Sequence, residues 1–431
     1  MAYVHSSHLT APALLSPYRP VLADLRLISS SAPDPARLSA ASSHRCRLPW
    51  SPGHWRHTDR LALPCAASSM APGPGMSSVL QCPSRWWLSS IPSSSPNDEE
   101  LRSRMTVRDA THDDYQVVMS MASPDTFRDG FDYLPAKFHD YVDDPDTVFA
   151  LVEVDGEVVY LGVASSQNGG GTMFGKTERI TKKLQGKRLS KTFMWATGLY
   201  TLAKIMENSG RTPKLMHGMR ETERRDLQHR HRDFTIRMKS VINVMYFCWD
   251  AAPAKDRLTA AQISLPTLVP YQPTDIHRLL PPAFSAAVLP EGFVFVDWDP
   301  HKLSESKMQK FVEAGCYILV DSTKPAAKSL SFGGSYMTPR GRVYYIDIHC
   351  KDEVLCKAHI LNHVKNAFSQ YTGMITFCVM VIDKGLKDVV MKYVVRDLHF
   401  KHLPHDHAYV HEEMDWEDYQ KIAKPVPKSK Y

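Results

Sequence analysis

No run in this 431-residue chain reaches the roughly 18 consecutive apolar residues that a helix needs to cross a bilayer, so the chain is expected to be soluble. Lysine is missing from the first 100 residues, which hold eight arginines, 20 serines and 13 of the 30 prolines. They show no sustained apolar period, and such a stretch cannot bury enough apolar surface to fold, so residues 1–100 are expected to be a disordered low-complexity extension. Acidic residues are scarce there too, as in a mitochondrial transit peptide. The prolines at 12, 17, 20, 33 and 35, however, break the amphipathic helices that such a peptide needs. A cytoplasmic location is therefore expected, with a mitochondrial one as the alternative. A secretory signal is lacking, so the eight cysteines read as free thiols of a reducing compartment. Zinc-finger spacing is absent as well. The histidines at 399, 402, 405, 407 and 411 do cluster, but the alternation in His405-Asp406-His407 is that of an exposed loop, and no metal is expected. The formal charge of +6 is small for a nucleic-acid binder. Six arginines and two histidines crowd between Arg220 and Arg237, but acids interleave them and Phe234 is the lone aromatic residue, which describes a solvated face.

What is present is a sheet with a basic loop. Thr147 to Val154 reads as a strand, Asp155-Gly156 as a two-residue hairpin turn, and Glu157 to Ala164 as the returning strand. Asn168 to Gly171 turns the chain into a third strand, Thr172 to Ile180. The loop Thr181 to Arg188 then leads into a helix from near Leu189, where Leu189, Phe193, Ala196, Tyr200 and Ala203 recur at helical spacing. A further strand is expected at Lys214 to Met219. Gly186 lets the backbone approach a ligand, the helix start offers unpaired N–H groups, and Lys182, Lys183, Lys187, Arg188 and Lys191 add positive charge. The guest such a loop suits is a polyanion such as a nucleotide or coenzyme A. The other reading of the same residues is a solvated basic turn.

This order resembles the GNAT superfamily of acyl-coenzyme A-dependent N-acyltransferases. More closely, Gly130-Phe131-Asp132-Tyr133-Leu134-Pro135, its distance to Asp155-Gly156, and Gly171-Thr172-Met173 resemble the histidine N-acetyltransferase family of animals over about Met105 to Trp249. The resemblance implies an N-acetyltransferase that uses acetyl-coenzyme A as cosubstrate and a small-molecule amine as acceptor, with no nucleic-acid or membrane partner. It also implies that Ile180, Lys183, Leu184, Gln185, Gly186, Lys187 and Arg188 contact the cofactor. The family loop reads Gln/Arg-x-x-Gly-x-Gly/Ala. Here Lys183 stands at its first position and Arg188 at its last, so Arg188 either swings out to add a contact to the phosphates or obstructs them. A catalytically inactive binding protein of the same fold is the alternative function.

Acetyl transfer needs a group to take the amine proton, a donor for the oxyanion and a proton for the departing thiolate. Glu178, on the strand expected to face the cofactor, is the candidate for the first, and otherwise a solvated strand carboxylate. The family's tyrosine acid follows the fifth strand, but Arg220 to Lys239 contains no tyrosine, so His231 and Tyr246 are the substitutes. Asp132 and Tyr133 are candidates for binding the acceptor. Asp132 equally reads as the cap of a helix that has Pro135 in its first turn.

Residues 101–250 are thus expected to form the acyltransferase domain and 251–292 a proline-rich linker. Residues 293–424 form a second, α/β-type domain, and 425–431 a tail. In that domain Phe293–Val296, Cys316–Asp321, Val343–His349 and Met374–Val381 read as strands, Ser304–Glu313 and Val354–Phe368 as helices, and Tyr393–Phe400 closes the list. Gly333-Gly334 reads as a serine-rich turn before a strand. The fold class expected for the whole is α+β, a mixed sheet flanked by helices and followed by the α/β-type domain.

Overall fold

The computed structural model describes residues 96–123, 126–127, 130–187, 189–221, 237–250, 258, 264–289 and 292–418. The first half runs α1 (Pro96–Ser103), β1 (Met105–Asp109), α2 (Tyr115–Ser120), α3 (Leu134–Asp143), β2 (Thr147–Val154), β3 (Glu157–Gln167), β4 (Thr172–Ile180), α4 (Ser190–Ser209), β5 (Leu215–Glu221) and β6 (Arg237–Asp250). The second runs β7 (Leu268–Pro270), α5 (Ile276–Leu279), α6 (Pro282–Val288), β8 (Phe293–Val296), β9 (Asp299–Lys302), α7 (Glu305–Glu313), β10 (Tyr317–Asp321), β11 (Leu330–Thr338), β12 (Gly341–His349), α8 (Glu353–Gln370), β13 (Met374–Val381), α9 (Leu386–Lys392) and β14 (Lys401–Asp415). The architecture is α+β, a mixed sheet flanked by helices and followed by a C-terminal α/β domain whose strands continue the sheet.

Local chemistry sets the elements. The β2–β3 hairpin closes on Asp155 and Gly156, both at positive φ, the geometry that matches the right-handed twist of the two strands. Apolar residues occupy both faces of these strands. Phe149, Leu151 and Leu161 bury against Phe138 of α3 on one side. Ala150, Val152 and Tyr160 bury against Phe193 and Ala196 of α4 on the other. Each fully buried aromatic or leucine contributes about 1.5–3 kcal/mol of transfer free energy, which outweighs the weak intrinsic preferences of so short a strand. α7 is capped by Ser304, whose hydroxyl accepts from the Lys307 amide at 3.2 Å, and α8 by Asp352, which accepts from Val354 and Leu355 at 2.8 Å.

The strand order is β1-β2-β3-β4-β5-β14-β6-β13-β12-β11-β10-β7. Two stretches repeat one plan. β2, β3 and β4 pair antiparallel, α4 follows, and β5 returns parallel to β4. β10, β11 and β12 pair antiparallel, α8 follows, and β13 returns parallel to β12. Each plan then sends a strand to the other. β6 lies against β13, and β14, the last strand, inserts between β5 and β6.

Two readings of the sequence are corrected here. Gly333 and Gly334 lie within β11 and not in a turn, because both are pressed by side chains. A Cβ on Gly333 would meet His363 Nδ1 at 2.4 Å, and one on Gly334 would meet the Tyr345 hydroxyl at 2.6 Å. His405-Asp406-His407 belongs to β14, where the register shifts between Leu403 and His407. That bulge imitates a loop in sequence.

Candidate functional site

β4 and β5 pair at only three positions, Thr172 with Leu215, Met173 with Met216, and Phe174 with His217, and beyond them the strands part. From Gly175 onward the β5-facing edge of β4 has no strand partner among the described residues. β12 and β13, at the same place in the repeated plan, stay paired over seven positions from Arg342–Ile375 to Ile348–Val381. One wedge is open and its counterpart is zipped.

The wedge holds two adjoining cavities. The first, about 300 Å3, lies over α4, with Gly162, Gly175, Glu178, Thr197, His217 and Gly218 among its walls. The second, about 340 Å3, lies toward α3 and is walled by Phe127, Asp132, Tyr133, Arg179, Glu221 and Tyr409. Lys176, Thr177, Glu178, Met219 and Arg220 border both. Val163 pairs with Thr177 and Ala164 with Gly175, which leaves Lys176 as the extra residue of a β-bulge. Such a bulge re-aims side chains and releases backbone groups from the ladder where the strands divide.

At the mouth of the wedge the chain from Lys182 to Leu184 makes a short 3-10 turn, Gly186 sits at φ +75 with no heavy atom within 4 Å of where a Cβ would be, and α4 begins without a side-chain cap. These features fit a phosphate group, since open backbone, uncapped N–H groups and lysines converge there. Lys183 ion-pairs Glu157, and the Gln185 side chain donates to the Ile180 carbonyl at 3.3 Å. Leu184 and Ile180 pack beside the α4 core, and Lys187 completes the described loop. Arg188 and His231 lie outside the described residues.

Glu178 reaches both cavities. Asp132 borders the α3-side cavity, but its Oδ1 accepts from the Leu134 amide at 3.0 Å and pairs with the Arg179 guanidinium, with both side chains over nine-tenths buried. Asp132 thus holds the amide of Leu134, the first residue of α3, whose N-cap position is Tyr133 and whose first turn contains Pro135. The Tyr133 hydroxyl stands 3.5 Å from the Lys176 carbonyl. Tyr246 borders neither cavity. It is 2% exposed and stacks on Phe131 at 5.4 Å.

Several site residues escaped the sequence reading because their partners lie far along the chain, on β14 or β9. His217 Nδ1 lies 3.0 Å from His411 Nε2, and its Nε2 lies 3.1 Å from Glu413. Arg220 donates to the fully buried Glu412 at 2.7 Å. Lys176 pairs with Asp299 of β9 at 2.7 Å. Burial pushes the Asp299 carboxyl up, and the ammonium pulls against it. A histidine or arginine in a strand carries no local signal of such partners.

Residues 264–382 match the family "Histidine N-acetyltransferase, C-terminal". The chain is 24% identical over 289 residues to the Homo sapiens protein "Probable N-acetyltransferase 16", covering 64% of this chain and 76% of that one. It is 25% identical over 294 residues to the "Histidine N-acetyltransferase" of Scomber australasicus, covering 64% and 83%. A GCN5-related N-acetyltransferase structure from Sphaerobacter thermophilus superposes with a TM-score of 0.43 at 8% identity, over 75% of this chain and 96% of that chain. With an open β4–β5 wedge in a mixed α+β sheet, the chain is similar to histidine N-acetyltransferases, by the family match at residues 264–382 and by two relatives at 24% and 25% identity.

Proposed function

We propose that this chain is an acetyl-coenzyme A-dependent N-acetyltransferase whose acceptor is the amine of a small molecule, an amino acid such as histidine. The observation that carries the reading is the parting of β4 from β5 after three pairs, with a glycine-turned basic loop and the uncapped start of α4 at its mouth. Ile180 and the loop Lys183 to Arg188 would hold the phosphates of acetyl-coenzyme A, which supplies a thioester-activated acetyl group to the wedge. The free edge of β4 offers N–H and C=O groups to an extended ligand arm, as an added strand would find them.

The chemistry asked of the protein is proton movement and orientation. The amine nitrogen attacks the thioester carbon, the C–S bond breaks, the amine loses a proton and the leaving sulfur gains one. Glu178, on the β4 edge common to both cavities, is the group assigned to take the amine proton, directly or through one water. Asp132 acts on the site by fixing Arg179 and the start of α3. Tyr133, which shares the acceptor-side cavity, takes the acceptor contact assigned to that pair.

The test is a pair of measurements on the full chain: calorimetric titration of coenzyme A, and thiol release from acetyl-coenzyme A with free amino acids as acceptors. Binding with release supports the transferase. Binding without release supports a noncatalytic acyl-coenzyme A-binding protein, and no binding removes both.

A further inference from the structure

A third cavity, about 540 Å3, lies behind the bulge of β4, and Lys176 borders it as well as the wedge. One wall comes from α3, β3 and β4 of the first half. The other comes from the β8–β9 hairpin and α7, inside the segment that matches the C-terminal family. Three ion pairs join the walls, Lys176 to Asp299 at 2.7 Å, Lys137 to Asp297 at 3.1 Å and Lys310 to Asp146 at 3.4 Å. A cavity of this volume is within the size range of small-molecule sites.

Among the described residues, the His301 Nδ1 atom lacks a hydrogen-bond partner and Lys307 lacks an ion-pair partner. His301 is 9% exposed, and its Nδ1 is buried without a hydrogen-bond partner. Lys307, the half-buried lysine of α7 with its ammonium 5.8 Å from the Phe311 ring, has no carboxylate within ion-pair distance among the described residues. Burial and the neighbouring Lys310 depress its pKa against the opposing pull of Asp299 and Asp146, and an anion beside it would favour its charged form. Four lysines and five aspartates line the cavity, so the wall as a whole does not favour a multiply charged anion such as phosphate.

We propose that this cavity seats the carboxylate end of the acceptor, a small amine bearing a single carboxylate, while the amine end reaches the acceptor-side cavity of the wedge. The carboxylate pairs with Lys307, the His301 imidazole hydrogen-bonds the rest of the molecule, and the amine is directed past Lys176 into the wedge. This rests on the acetyl-transfer reading and gives the second half a defined part in it, as supplier of the residues that select the acceptor.

The test uses the full chain and two variants, Lys307→Met and His301→Phe. A panel of free amino acids is titrated by calorimetry without cofactor, each beside its decarboxylated amine, for example L-histidine beside histamine. The expected result is that at least one amino acid binds tenfold or more tightly than its amine. Lys307→Met should abolish that preference while coenzyme A affinity and melting temperature stay unchanged. Since Lys307 makes no ion pair, the variant keeps the fold, and His301→Phe preserves ring volume while removing the nitrogen. Equal binding of acid and amine, a preference that survives Lys307→Met, or no amino acid bound would each overturn the proposal. Thiol release with simple amines in that case leaves the transferase standing, whereas a Lys307-dependent preference without any release keeps the pocket and removes the transferase.

Discussion

Asp132 Oδ1 is shared between the Leu134 amide and the buried Arg179 guanidinium, which ties the carboxylate to the start of α3 and to β4. Replacing it with asparagine keeps a cap on α3 but strands a buried charge, which costs about 3 kcal/mol or more. Melting of Asp132→Asn should therefore fall by several degrees with the acceptor KM little changed. A raised KM at unchanged melting temperature would return Asp132 to the substrate. For Glu178→Gln the expectation is reversed: kcat falls about 10²- to 10⁴-fold because an amide cannot take the amine proton, while the titration of coenzyme A gives an unchanged Kd. Gly333→Ala should cost about 1–3 kcal/mol in chemical denaturation, since the added methyl overlaps His363 and the Tyr344 hydroxyl. Much of this scale was hidden in the sequence. Alternation along β4 leaves the facing of Glu178 open until the bulge at Lys176 decides it, and a bulge exists only in relation to the partner strand.

Elements were more legible where the period was local. Met374–Val381 is a strand over the expected bounds, the hairpin closes on Asp155-Gly156, and the helix after the basic loop begins one residue from its expected start. The failures, Gly333-Gly334 and His405-Asp406-His407, are places where strand identity comes from neighbours: side chains that need the glycines' missing Cβ, and β5 and β6 on either side of β14. That last strand makes the wedge depend on the far end of the chain. β5 alone is an edge that pairs with β4 at three positions, and β14 gives it seven more. A fragment of residues 96–250 should consequently show no cooperative melt. Co-expression with 251–431 should restore one, as read by circular dichroism; a sharp transition in the fragment alone would mean that the first half folds without β14.

Across the molecule, buried histidines tie stability to pH. Burial lowers His349 to about 4 and His359 to about 3, and both sit in the second half, His349 on Phe295 and His359 on Ser331. An unfolded chain protonates both near pH 6.5, whereas the folded one does not. The stability they confer is whole above that pH and is lost as pH falls toward 3–4, with a limiting slope of about 1.4 kcal/mol per pH unit for each histidine. Melting temperature should decline steadily below pH 6.5, and less so in the His359→Gln variant. The exchange of β6 and β14 between the two repeats also sets a clock on synthesis. Glu221 ends β5 and the stretch of β14 that pairs with it ends at Asp415, so 194 residues (415 − 221) must still be made before the wedge can be completed. At roughly 5–20 residues per second this is about 10–40 s, during which the growing chain presents an unpaired strand edge and is a natural client for ribosome-associated chaperones.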